Sequence, residues 1–296
     1  MGRDSPPFFS VVVPTFQRAG LIGNTLESLL CQTFSDFEII VVDDGGKDDT
    51  RSVVESFGDP RLRYHWKENG ERGAARNYGA AMAKGEYLNF FDSDDLALPH
   101  HLQTAKDVIE SNGRPEFVHL AFEVRKPTGE RVHAWAPSKK KYSVALLDGN
   151  FFWTGCVFLS RGLAARVPFH EDRRLPPSED WLCWLLASAR SEPVVSTKVC
   201  AHVVDHPARS MAGSLKAKAL SVELVEKYAL KDPVFREKHQ GRLGRFRAYV
   251  AAYAAMCLAQ SKKSRLRALK NWIKAFAAYP PIVARRTFWA AFKHWF

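Results

Sequence analysis

No apolar run in this chain approaches the ~18 residues that cross a bilayer, so no spanning helix is expected. The opening Met1-Gly2-Arg3-Asp4-Ser5-Pro6 holds no signal-peptide core, and Pro6 stands where a myristoylation pattern needs Ser or Thr. Neither a leader nor an acyl anchor is expected. Cysteine is sparse: Cys31, Cys156, Cys183, Cys200 and Cys257 are odd in number and never spaced C-x-x-C. That argues against a zinc site or a disulfide framework and favours a reducing, cytoplasmic setting. No G-x-G-x-x-G follows an apolar run, which excludes the usual dinucleotide fingerprint. Nor is any nucleic-acid recognition module visible, so no nucleic-acid partner is expected.

Acidic residues nearly vanish toward the C-terminus. Of 43 Lys/Arg and 32 Asp/Glu, 15 basic residues but only Asp232 and Glu237 fall within 231–296. The last 66 residues therefore carry a net charge of +13 and the first 230 one of −2. A boundary is expected near Asp232-Pro233, with an anionic partner for the basic part.

What is present begins with alternation. Phe8–Val13, Phe37–Val42, Leu62–Trp66 and Tyr87–Phe91 read as strands. Between them, Leu21, Thr25, Leu26, Leu29 and Leu30 recur at helical spacing, residues 49–59 read as a short helix, and 73–84 as an Ala-rich helix stopped by Gly85. Repeated strand–helix units build a parallel sheet with right-handed crossovers and helices on both faces. Ligands bind beyond the carboxyl ends of such strands. Three polar clusters lie there: Pro14-Thr15-Phe16-Gln17-Arg18, Asp43-Asp44-Gly45-Gly46 and Asp92-Ser93-Asp94-Asp95.

Crowded carboxylates repel and raise one another's pKa. A divalent cation removes that conflict in the 92–95 tetrad, and oxygen ligands suit Mg or Mn. The alternative is a polar loop in which Asp95 caps a following helix. Asp43-Asp44-Gly45-Gly46 is either a tight turn or a place where a carboxylate accepts uracil N3–H or a ribose hydroxyl. Arg76 is either a bidentate phosphate clamp or a solvated helix residue. Metal, arginine and nucleotide-facing carboxylates together are what a nucleoside diphosphate needs.

Val11-Val12-Val13-Pro14-Thr15-Phe16-Gln17-Arg18, Thr33 to Gly45, Gly73-Ala74-Ala75-Arg76-Asn77-Tyr78-Gly79 and Lys84 to Asp95 occur in that order. In these motifs the chain resembles the family 2 inverting glycosyltransferases of the nucleotide-diphospho-sugar (GT-A) fold. The resemblance is dense over 8–110 and loose over 111–215. It departs at Gly46, where the commoner pattern has Ser. It implies an α/β fold with a Rossmann-like, mostly parallel sheet flanked by helices, to which the tail's own apolar spacing adds a C-terminal helical extension. The expected division is a transferase domain, 1–230, with a nucleotide-sugar half (8–110) and an acceptor half (111–230), then a basic amphipathic extension, 231–296.

The same resemblance implies roles. Pro14, Thr15, Arg18, Asp44, Arg76, Asp92, Ser93, Glu179 and Arg209 would bind the nucleotide sugar. Asp92, Asp94 and Asp95 would serve a Mn or Mg ion, and which of them ligates it directly stays open. Glu179-Asp180 matches the family's acidic pair, with Asp180 as the general base on an acceptor hydroxyl. Read from the residues alone, Ser178-Glu179-Asp180 is a helix start. His206 and Arg209 match a stretch that closes over the diphosphate, with His206 a further metal ligand. Trp153, in Phe151-Phe152-Trp153-Thr154-Gly155-Cys156, is either core or a lining of the acceptor cleft.

In the basic extension, Leu266, Leu269, Trp272, Ile273 and Phe276 share one helical face, and Phe288, Trp289, Phe292, Trp295 and Phe296 another. Basic helices with aromatic faces suit anionic membrane surfaces; the alternative is packing on the catalytic domain. The resulting expectation is a metal-dependent, inverting transferase using a UDP-sugar. Its acceptor would be a glycan or polyprenyl-linked saccharide, at the cytoplasmic face of the membrane. A sugar-nucleotide pyrophosphorylase would need a Gly-rich phosphate loop after the first strand, which Pro14 to Arg18 is not. A non-catalytic module binding anionic lipid or nucleic acid through the tail is the third reading.

Overall fold

Val11, Val12, Val13, Ile39, Ile40, Val41 and Val42 are wholly buried, as strands covered on both faces require. They lie on β1 (Phe9–Thr15) and β2 (Phe37–Asp43), which pair in parallel. β3 (Leu62–Trp66) joins β2, and β4 (Tyr87–Phe90) joins β1, both also parallel. The crossovers are the helices α1 (Ala19–Leu30), α2 (Thr50–Glu55) and α3 (Glu71–Met82). α3 rides close on the sheet because Gly79 has no Cβ to strike the Val12 side chain. The computed structural model describes residues 5–135, 141–207, 214–260 and 264–292.

The rest of the sheet is of mixed sense. β5 (Leu96–Ala97), β6 (Phe117–Arg125), β7 (Arg131–Ala134), β8 (Val157–Ser160) and β9 (Val194–Val204) complete the order β3-β2-β1-β4-β8-β6-β9-β5, with β7 on β6. β8 runs antiparallel to β4 and β6, β7 antiparallel to β6, and β5 antiparallel to β9, whereas β9 is parallel to β6. The expected α/β architecture is therefore present, with β1 to β4 as its wholly parallel part. One antiparallel pair is local: the 127–129 turn lets Arg131–Ala134 fold straight back onto β6.

These strands belong to one of two compact units, comprising the described residues of Met1–Lys139, Phe152–Phe169 and Pro193–Pro207. The second unit, from Lys140–Phe151, His170–Glu192 and Ala208–Phe296, is helical. Asp232 caps the helix Pro233–His239, its Oδ1 accepting the Phe235 N–H at 2.8 Å, and it pairs with Arg190 at 2.7 Å. The Ala-rich helix Leu243–Ala259 forms a core in which Ala248, Ala251 and Ala252 meet Ala275, Ile282 and Phe288.

That core corrects one expectation. Phe288 is not part of a free aromatic face: it is 1% exposed and stacks on Trp272 with ring centroids 4.6 Å apart. The Trp272 indole N–H donates to the Phe288 carbonyl at 3.1 Å. Trp295 and Phe296 lie outside the described residues. Phe288→Ala should cost about 3–5 kcal/mol in the stability of this unit, the usual loss for a buried Phe. Urea denaturation followed by tryptophan fluorescence would measure it, and a cost within a few tenths would deny Phe288 its place in the core.

Candidate active site

Parallel register decides which loops meet. Thr15 lies level with Asp43, and Val12 level with both Ile40 and Phe90. The loops leaving β1, β2 and β4 thus open on one carboxyl edge, where such sheets bind ligands. Pro14, Thr15, Arg18, Asp44, Asp92, Ser93, Asp94 and Asp95 all lie on those loops or strand ends. Arg76 on α3 and His206 just after β9 reach members of the same set.

Asp43 and Asp44 are neighbours with different partners. Asp43 accepts the Tyr64 hydroxyl and the Gly46 N–H, each at 2.8 Å. Burial, and then the bond to Asp43, push the Tyr64 phenol well up, which keeps it a donor. A Cβ at residue 46 would lie 2.6 Å from Asp43 Oδ1, so the glycine found there is what lets this turn close. Asp44 Oδ1 accepts Lys67 Nζ at 2.8 Å and the Gly70 N–H at 2.9 Å, and its Oδ2 accepts Asn69 Nδ2 at 3.1 Å. A carboxylate has about four acceptor positions, which leaves room for one more donor. Lys67, Asn69 and Gly70 were missed in the sequence. Their signal was position: they directly follow β3, whose last residue Trp66 lies level with Asp43.

Thr15 is 4% exposed, and its hydroxyl oxygen has no hydrogen-bond partner among the described residues. A buried polar atom of this kind is met by ordered water or by a ligand, and at this sheet edge both can reach it. Two residues further on, Gln17 holds φ at 51°, a left-handed conformation uncommon outside glycine. Backbone strain of this kind collects at functional loops.

The tetrad divides three ways. Asp92 Oδ1 accepts the Arg76 guanidinium at 3.0 Å. Arg76 is 2% exposed and lies over the Phe169 ring at 5.1 Å, so it is not a solvated helix residue. One of its nitrogens is committed to orienting Asp92. Desolvation raises the Asp92 pKa, Arg76 opposing and Asp94 adding to the rise. Asp95 turns into the fold: Oδ1 accepts the Val204 N–H at 2.9 Å and Oδ2 the Trp153 indole N–H at 2.7 Å. Its backbone carbonyl accepts the Thr25 hydroxyl at 2.8 Å. Burial and the charges of Asp92 and Asp94 hold its pKa well above the ordinary carboxylate range. Both oxygens of Asp95 thus latch the loop to β9 and to residue 153, a role that sequence reasoning did not give it. Trp153 serves the same latch.

Asp94 faces His206 and Arg18. Its Oδ2 lies 3.2 Å from His206 Nε2 and 3.7 Å from the Arg18 guanidinium. Among the described residues no three His, Cys, Asp or Glu side chains form a ready metal cage. Mg and Mn in nucleotide sites commonly take only one or two carboxylates, with substrate phosphates completing the shell. Asp94, with Asp92 alongside, supplies carboxylates of that kind, and His206 stands against Asp94. Ser93 is buried in the turn between them. Arg209 lies outside the described residues.

In the second unit, Glu179 and Asp180 open the helix Glu179–Arg190. Asp180 Oδ1 accepts the Trp181 N–H at 2.6 Å and Oδ2 accepts Asn150 Nδ2 at 2.8 Å. Glu179 is 2% exposed. The buried Trp181 indole donates to the Leu146 carbonyl at 2.9 Å, pinning the helix start to the 146–150 turn. Asn150 was also missed; the turn signal Asp148-Gly149-Asn150 was its only sequence trace.

The model of Glycosyl transferase family 2 matches residues 10–166. The GalNAc(5)-diNAcBac-PP-undecaprenol beta-1,3-glucosyltransferase of Campylobacter jejuni is 41% identical over 156 residues, covering 49% of this chain and 50% of that protein. TarS 1-349 of S. aureus, solved with UDP-GlcNAc, superposes with a TM-score of 0.64 at 20% identity, over 92% of this chain and 89% of that one. The mannosyltransferase PcManGT of Pyrobaculum calidifontis, solved with GDP-Man and Mn2+, gives 0.59 at 21% identity, over 98% and 86%. At such identities the two structures show a common fold. Against the first curated relatives, 29% to 32% identical, the chain spans 27% to 58% of their lengths.

Proposed function

The chain belongs to glycosyl transferase family 2, and from that premise we propose that it moves a sugar from a nucleotide-diphosphate donor to an acceptor hydroxyl with inversion at the anomeric carbon. The observation that carries this reading is the polar edge of the sheet. Thr15 with its unmet hydroxyl, Asp44 with a spare acceptor position, and the Asp92–Asp94 pair all stand at the ends of parallel strands. Thr15 and Asp44 bind the base and ribose, uracil N3–H being the donor that Asp44 suits. Arg76 orients Asp92, and Arg18 meets phosphate once it leaves Asp94. A Mg or Mn ion would be held by Asp94 and His206 with Asp92 beside them, and would supply counter-charge to the leaving diphosphate. Asp180 is the base that takes the proton of the acceptor hydroxyl as that oxygen attacks.

By this reading residues 8–110 serve the donor and 111–230 the acceptor, while 231–296 form the basic extension. A lipid-linked or cell-surface glycan is the proposed acceptor, met at the cytoplasmic face of a membrane. A relative of that acceptor chemistry, the Campylobacter enzyme, carries an undecaprenol-linked substrate in its name. A thermal-shift screen of nucleotide sugars with and without Mn tests the proposal. A ligand at 100 times its Kd stabilises by about 2.7 kcal/mol, so a UDP-sugar should raise Tm clearly and only with the metal. If no nucleotide sugar moves Tm under either condition, the donor site is not what it is taken to be.

A further inference from the structure

The helix Arg265–Ala278 buries Ala268 and Ala275, and Ala275 belongs to the core shared with the helix Leu243–Ala259. Its opposite side carries Leu266, Leu269, Ile273 and Phe276. Spacings of three, four and three put these four on one stripe of a 3.6-residue helix. All are exposed, by 72%, 37%, 53% and 48%. Single exposed apolar residues are ordinary, but a contiguous row marks a place of contact. Exposed Arg265 and Lys270 border the stripe. Behind them Arg267 is paired with Glu223 and Lys274 with Glu226, both acids on the helix Leu215–Ala229. From residue 238 to 296 the sequence contains no carboxylate side chain at all.

We propose that this stripe seats the protein on the surface of an anionic lipid bilayer. An apolar row bordered by cations, on a segment with no acidic side chain, complements acyl chains beneath negative headgroups. The helix lies in the interface and does not cross it: among the described residues no helix is long and apolar enough to span. Phe288 holds the core beneath Trp272 and is not available for insertion. The proposal deepens the membrane part of the function given above. It does not depend on the transfer reaction, because its readout is lipid binding alone.

The full chain should sediment with vesicles of phosphatidylcholine mixed with phosphatidylglycerol at low salt. It should stay in solution with phosphatidylcholine alone, and be released by salt as exposed charges are screened. Ile273→Glu and Leu266→Glu alter exposed positions, so their melting temperatures should match the parent. Each should weaken vesicle binding about tenfold or more, the worth of burying one large aliphatic side chain. Lys270→Glu should weaken it too and flatten the salt dependence. The proposal falls if the parent ignores anionic vesicles at low salt, or if Ile273→Glu binds as well as the parent. It falls equally if the parent is a dimer in vesicle-free solution and Ile273→Glu makes it a monomer, since a second copy then covers the stripe.

Discussion

Asp180→Asn is expected to lower turnover by about 10²–10⁴-fold, the usual contribution of a positioned general base, with donor affinity nearly unchanged. The substitution is chosen for what it preserves. Asn keeps the shape of the side chain, and it keeps an oxygen for the Trp181 N–H that Asp180 accepts at 2.6 Å; Ser178, not Asp180, is the N-cap of this helix, so the cap is untouched. What it loses is the capacity to take a proton. Asn150 lies 2.8 Å from the other oxygen and will face an amide in place of a carboxylate. The experiment therefore needs three readings: melting temperature, donor affinity by calorimetry, and transfer rate to an acceptor. Unchanged stability and affinity with a collapsed rate identify a base. A variant that keeps more than a tenth of the parental rate would leave Asp180 as a helix start only.

Asp94→Ala is expected to abolish transfer and to remove any effect of Mn on UDP affinity. Asp94 is the carboxylate of the tetrad that meets both His206 and Arg18. Without it one metal ligand remains beside Asp92, and the diphosphate loses its counter-charge. The fold should survive, because the site sits at strand ends and not within the core. Asp95→Ala makes the contrast: its two oxygens hold the Val204 N–H and the Trp153 indole. Removing them leaves buried donors unmet, which costs about 1–3 kcal/mol each, so that variant should lose stability where Asp94→Ala does not. Calorimetry showing the same UDP affinity with and without Mn in the parent would remove the metal from this scheme.

Much of the first unit was legible because its signals are local. A buried parallel strand needs an unbroken apolar run, and Phe9–Thr15 and Phe37–Asp43 supply one each. Parallel crossovers then bring the carboxyl ends of β1 to β4 to one edge, so the sequence alone places together polar clusters far apart along the chain. β8 and β9 were not legible in this way. The eleven residues of β9 are interrupted by Ser196, Thr197 and Lys198, and their pairing with β5 and β6 is entirely non-local. The division of labour within the tetrad was hidden for the same reason. Four consecutive residues, Asp92-Ser93-Asp94-Asp95, look alike in sequence. Their roles depend on Arg76, Val204, Trp153 and His206, which approach from other elements.

The C-terminal helices show where the division lies. Periodicity in the sequence put Leu266, Leu269, Trp272, Ile273 and Phe276 on one side, of which the fold turns Trp272 onto Phe288 instead, and composition determined that the surrounding segment is basic. Neither could say which apolar face is covered, because spacing describes a helix by itself while burial is settled by what packs against it. Tertiary structure made that decision. It drew Phe288 under Trp272 into a core with Ala248, Ala251 and Ala252, and left the Leu266–Phe276 stripe facing outward. Alanines on the helix Leu243–Ala259 allow close approach of Ala275 and Phe288, and burial there removes apolar surface from water. The same holds at the sheet edge. The strands determined where carboxylates would gather, and only the partners brought by the fold decided how the oxygens of each are engaged.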